Sequence, residues 1–129
     1  MSIVRINPYL FPAERASVTG GWTPPADVWE TADAYRIDLD VPSLSAREVE
    51  VSVEDGVLSV SGERLRPERQ EGERNHRLER RSGQFSRRFK LPEDADPDAI
   101  AARVLCGVLE VTIAKREERK PRRVEVIAA

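Results

Sequence analysis

One cysteine and one histidine stand among 129 residues. The lone Cys106 excludes a disulfide within the chain. Together with the lone His76 it also removes cysteine-rich metal sites and most metal-ligand or triad arrangements. Aromatic residues are few, seven in all. No stretch approaches the roughly 18 apolar residues of a membrane span. The N-terminus, Met-Ser-Ile-Val-Arg, lacks the basic region and apolar run of a secretory signal. A soluble, cytoplasmic chain is therefore expected. An excess of charge of one sign is missing too: 21 basic side chains face 23 acidic ones. The field of the whole molecule thus favours neither nucleic acid nor an anionic membrane. No glycine-rich loop is present to cradle a nucleotide phosphate. These absences speak against an enzyme and against a metal or cofactor.

The length suits one domain, and 34% of its residues are charged. The charges are unevenly placed. Residues 1–25 carry only Arg5, Glu14 and Arg15, and hold Ile3, Ile6, Leu10, Phe11 and Trp22 among four prolines. This apolar arm is poorly suited to regular structure, and its prolines spoil a membrane-surface helix. Residues 26–114 alternate at period two in short runs separated by Gly, Pro and Asp, the pattern of an antiparallel β sandwich or barrel. Residues 115–123 carry eight charges in nine positions and read as a solvated linker, after which Val124-Glu-Val126-Ile127 forms a small apolar plug.

Two hairpins follow from turn chemistry and register. Asp55-Gly56 supplies the positive φ of a two-residue turn, which sets Val53 opposite Leu58, Ser52 opposite Ser59 and Val51 opposite Val60. Cys106-Gly107 makes the second turn. It places Val104 opposite Leu109, Ala102 opposite Val111, Ile100 opposite Ile113, and Arg103 opposite Glu110 as an ion pair. Two more strands carry Tyr35, Ile37, Leu39 and Val41 on one face, and Phe85, Arg87, Phe89 and Leu91 on another. Arg87 is out of pattern in that apolar row. It is either half of an ion pair at a subunit interface or an edge residue that snorkels to water.

Between Gly62 and Ser82 lie 12 charges in 21 residues, seven of them arginine. Ordinary hairpin loops hold about 2–5 residues, so this connection is either disordered or has a task of its own. Its segment from His76 through Leu78 to Glu79 has the reach to pair with the sheet of a second chain. Nucleic-acid binding is disfavoured, because five glutamates interleave the arginines and no aromatic residue is there for base stacking. His76 reads as a solvated or interfacial side chain. No basic or metal environment is evident around Cys106 in the sequence, which leaves an inter-chain disulfide under oxidation as its main alternative to an inert turn residue.

These stretches resemble the small heat-shock proteins with an α-crystallin domain, of the bacterial and plant cytosolic type. The resemblance rests on Asp55-Gly-Val-Leu58, Ser61-Gly-Glu-Arg64, Glu79-Arg-Arg-Ser-Gly-Gln-Phe-Ser-Arg-Arg-Phe-Lys-Leu-Pro92, Gly107-Val-Leu109 and Val124-Glu-Val126, in that order. It implies an all-β, immunoglobulin-like sandwich with a short N-terminal arm, a flexible C-terminal tail, and a dimer made by a strand exchanged from the loop. In such a dimer Arg87 pairs with Glu79, with His76 and Leu78 in the same interface. The resemblance further implies that Val124 and Val126 dock in a groove of a neighbouring dimer, lined by Val49, Val51, Val53, Ala102 and Val104. The charged linker gives the tail its reach.

The implied function is an ATP-independent holdase. Partly unfolded proteins expose apolar surface and strand edges, and reversible binding of these competes with aggregation. Ile3, Ile6, Leu10, Phe11 and Trp22 are the client-binding candidates, with ATP-dependent chaperones as possible refolding partners. The alternative is a co-chaperone or adaptor sandwich without holdase activity.

Overall fold

The computed structural model describes residues 21–117, 121 and 123–128. Seven strands form two antiparallel sheets: β1 (Ala26–Glu30), β2 (Ala34–Asp40), β3 (Val49–Glu54), β4 (Val57–Arg64), β5 (Gly83–Lys90), β6 (Ala95–Leu105) and β7 (Val108–Lys115). The strand orders are β1-β2-β7-β6 and β3-β4-β5. Alternation explains the core between them. Tyr35, Ile37 and Leu39 from β2 meet Leu109, Val111 and Ile113 from β7, and Leu58, Val60, Phe85 and Phe89 close the other side, all buried. The all-β sandwich expected from the period-two pattern is the fold observed.

Both hairpins have the expected register. Val53 lies opposite Leu58 and Val51 opposite Val60; Arg103 lies opposite Glu110 and Ile100 opposite Ile113. Each turn has two consecutive residues at positive φ, Asp55 and Gly56 at 51° and 73°, Cys106 and Gly107 at 51° and 77°. This is the type I′ geometry whose twist matches the flanking strands. Strand β1 has no strong alternation in sequence and is defined by its pairing, Val28 with Ile37 and Trp29 with Arg36. Strand β6 accommodates Pro97 because it is an edge strand with an irregularity between Ala95 and Ile100.

Gly62 belongs to β4, not to the loop. A Cβ there would lie 2.7 Å from the Glu48 carbonyl oxygen and 2.7 Å from the Phe85 ring. The long connection accordingly runs from Leu65 to Ser82.

Tyr35, at the start of β2, is tied to the residue that leads into β6. Its hydroxyl donates to Asp94 Oδ1 at 2.6 Å. Burial, and then this bond, push its pKa well above the usual tyrosine value. A raised folded-state pKa contributes stability that is complete below the ordinary tyrosine pKa of about 10 and is lost as the pH climbs beyond it. Tyr35→Phe is expected to cost about 1–3 kcal/mol at pH 7, since Asp94 loses its donor. The variant's stability should also fall less than that of the parent above about pH 10. Urea unfolding of both proteins at neutral and alkaline pH measures this, and parallel pH profiles would contradict it.

Candidate interaction surfaces

The two sheets are filled by one core, and the candidate sites among the described residues are edges and loops. The chain enters β1 from the margin of β5: the Trp22 amide donates to the Gln84 carbonyl at 3.2 Å, and Asp40 N–H reaches back to the Pro25 carbonyl at 3.1 Å. The free edges of β1 and β5 therefore flank one side of the sandwich, which leaves β3 and β6 as the end strands of the other.

On that second side the expected groove residues are placed unevenly. Val49, Val51, Val53 and Val104 are half-buried and pack against the core, as does Ile100. Ala102 is exposed. The valines of β3 thus form a half-covered row on an end strand of its sheet. The tail is displayed in the matching chemistry, with Val124, Val126 and Ile127 at 80%, 91% and 81% exposure.

Arg87 is half-buried on β5, as its place in the apolar row demands. Its Nη1 donates to the Pro24 carbonyl at 2.8 Å, and its guanidinium lies 5.1 Å from the centre of the Phe89 ring. Neither contact was legible in sequence, because a bond to a backbone carbonyl 63 residues away leaves no pattern. Glu79 is not beside it within one chain. It is exposed and pairs with Arg77 at 3.6 Å. His76 and Leu78 are exposed as well, and the segment that holds them is in no strand. A strand that exists only by pairing has no partner within a single chain, so this geometry leaves the exchange as an expectation.

Two boundaries drawn from composition are corrected by packing. Composition places Trp22 in the apolar arm, but it is 7% exposed, its ring centre is 5.2 Å from that of Phe85, and its indole N–H donates to the Gly83 carbonyl at 3.0 Å. Pro24 is buried as well. Residues 22–25 thus belong to the sandwich, because an indole against a core phenylalanine gains more by burial than by display. Charge density places Lys115 in the solvated linker. It ends β7 with its ammonium 2.6 Å from Glu30 and 5.2 Å from the centre of the Tyr35 ring. Ile3, Ile6, Leu10 and Phe11 lie outside the described residues.

The outer face of the larger sheet carries an ion-pair ladder. Arg36 bonds Asp38 at 3.1 Å and Glu110 at 2.7 Å, and Arg103 bonds Glu110 at 2.5 Å. The Arg103 bond leads the influences that hold the Glu110 carboxyl below the usual range. Among the described residues no cluster of His, Cys, Asp or Glu fits a metal ion, and no helix is long and apolar enough to cross a membrane.

The described residues thus form an antiparallel sandwich whose candidate sites are surfaces: open edge strands, a long loop between the neighbouring strands β4 and β5, and an exposed aliphatic tail. The Hsp20/alpha crystallin family matches residues 27–127. The chain belongs to that family and is a small heat-shock protein. It is 43% identical over 113 residues to a 17.4 kDa class I heat shock protein of Oryza sativa subsp. japonica, a match that covers 87% of this chain and 73% of the relative. It is 47% identical over 109 residues to a 17.3 kDa class II heat shock protein of Solanum peruvianum, covering 81% and 70%. Among solved structures, a small heat-shock protein from Xylella fastidiosa superposes with a TM-score of 0.71 at 38% identity, covering 83% of this chain and 98% of that one. Heat shock protein 16.0 from Schizosaccharomyces pombe gives 0.69 at 33%, covering 87% and 80%.

Proposed function

We propose that this chain is an ATP-independent holdase of the cytoplasm that binds partly unfolded proteins reversibly and hands them to ATP-dependent chaperones for refolding. The observation that supports the proposal is the presence, on one chain, of an exposed aliphatic tail and a half-covered row of valines on an end strand. Each is complementary to the other and to the apolar strands that unfolding proteins display. In the assembled state Val124 and Val126 of one subunit cover the groove of another, and a dimer forms by exchange of the segment from His76 to Glu79 towards Arg87. Departure of the tails on heating uncovers the groove when clients appear. Ile3, Ile6, Leu10 and Phe11 supply further apolar contacts, whereas Trp22 is engaged in the core. The charge carried by the loop and linker keeps loaded complexes in solution.

Light scattering of a heat-labile client tests the proposal without ATP. Scattering is expected to be suppressed near one subunit per client. Aggregation that proceeds unchanged at that ratio would remove the holdase and favour an adaptor.

A further inference from the structure

The C-terminal end of β7, where the chain leaves the sandwich for its tail, is held from three directions. The Lys115 amide donates to the Asp33 carbonyl at 2.8 Å, in the turn between β1 and β2. The Arg116 amide donates to the Asp94 carbonyl at 2.7 Å and its Nε to the Glu93 carbonyl at 3.0 Å, both in the connection that leads into β6. The Lys115 side chain is only 11% exposed, with its ammonium 2.6 Å from Glu30 Oε2 and 5.2 Å from the centre of the Tyr35 ring. Tyr35 in turn donates to Asp94 Oδ1. Groups from β1, β2 and the β5–β6 connection thus close around the last residues of β7.

A strand that runs into a charged segment without a core of its own ordinarily frays at its end. Lysine is almost never covered this far without a partner, because taking an ammonium out of water is costly. A solvated lysine would end β7 without that cost, and a covered ion pair adds little net stability, so what the arrangement supplies is a fixed point and direction of exit. We propose that Lys115 and Arg116, with Glu30, Tyr35 and Asp94, form a clamp that aims the C-terminal tail and thereby selects which neighbouring subunit it reaches. The proposal rests on the reading of Val124 and Val126 as docking residues. From Arg116 to Val124 the chain advances eight residues, at most about 26 Å at about 3.3 Å each. A fixed start confines the valines to positions within that radius and on one side of the sandwich. Fraying back to Ala114 adds about 7 Å and frees the direction, so that grooves at several orientations come within reach. A clamped tail therefore gives an assembly of one size, and a loose tail a spread of sizes.

Native mass spectrometry and amide exchange of the full chain test it. Glu30→Gln, Lys115→Met and Arg116→Gln together remove the ion pair and the bond to Glu93 while keeping side chains of similar length. Circular dichroism establishes that the triple variant is folded. Exchange across residues 113–117 is expected to quicken by about tenfold, the scale of lost charge-assisted bonds, with Val108 to Val111 as protected as before. The subunit count should spread from one dominant value to several. Arg123→Gln, an exposed position of the same linker, changes the net charge equally and should leave both readouts unaltered. Unchanged exchange at residues 113–117, or an equal spread in the Arg123 variant, would overturn the clamp. So would a triple variant that keeps one subunit count while Val124→Ala with Val126→Ala dissociates the assembly, a result that leaves tail docking intact. An assembly indifferent to the valine variant as well would sink the docking reading and the clamp with it.

Discussion

Alanine at both Val124 and Val126 is expected to reduce the assembly to dimers while the sandwich itself remains as stable as before. The two valines are almost fully exposed in the single chain, so they contribute nothing to its own core. Whatever they contribute must be made on another molecule. Each Val→Ala change removes two carbon groups, at about 0.8 kcal/mol per buried CH2, or about 3 kcal/mol per docked tail. That is about a hundredfold in each tail contact. An oligomer held by many tails loses the contacts together, so the shift in size is larger than one contact implies. Ile127 provides the control. In an extended tail it points opposite to Val124 and Val126, and Ile127→Ala alone should leave assembly size nearly unaltered. Size-exclusion chromatography with light scattering reads the result. An unchanged elution volume for the double variant would remove tail docking from the account.

Strand pairing was legible because two independent signals coincide on the same residues. At Asp55-Gly56 and Cys106-Gly107 the turn chemistry sets the register, and the alternation on both flanks accepts no other register without turning valines outward. Strand β1 had only half of this. It is short, its burial is intermediate, and its identity comes from pairing with β2. The candidate sites divide in the same way. The tail and the valines of β3 were readable, since exposure and alternation are local properties. The contact of Arg87 with Pro24 and the burial of Arg64 at the end of β4, where its Nη1 donates to the Arg81 carbonyl, were not. Both depend on which distant segments the fold brings together, and an arginine in a charged loop looks the same in sequence whether it is solvated or walled in. Composition misled at the two seams for a related reason. Trp22 lies in a proline-rich run and Lys115 in a run of charge, yet each is held by neighbours from elsewhere in the chain.

Trp22→Ala tests the first of those seams, and a loss of about 3–5 kcal/mol is expected, the usual cost of deleting a large buried aromatic side chain. Against a total stability of about 5–15 kcal/mol such a change brings a domain of this size near its threshold. The cost combines two parts. The ring leaves a void beside Phe85, and the indole N–H no longer holds the Gly83 carbonyl. Trp22→Phe separates them, since it keeps most of the packing and loses the bond, for about 1 kcal/mol. The local consequence matters more than the total. Gly83 and Gln84 are where the long loop enters β5, and Trp22 bonds both carbonyls. Arg87 continues the same seam by holding the Pro24 carbonyl, two residues beyond Trp22. Trp22→Ala should therefore speed amide exchange at Gly83 to Arg87 more than in β7, on the far side of the core. Urea unfolding gives the energy and exchange mass spectrometry gives the location. A cost below about 1 kcal/mol, with no change around Gly83, would return Trp22 to the displayed apolar arm, because surface substitutions rarely exceed ±0.5 kcal/mol.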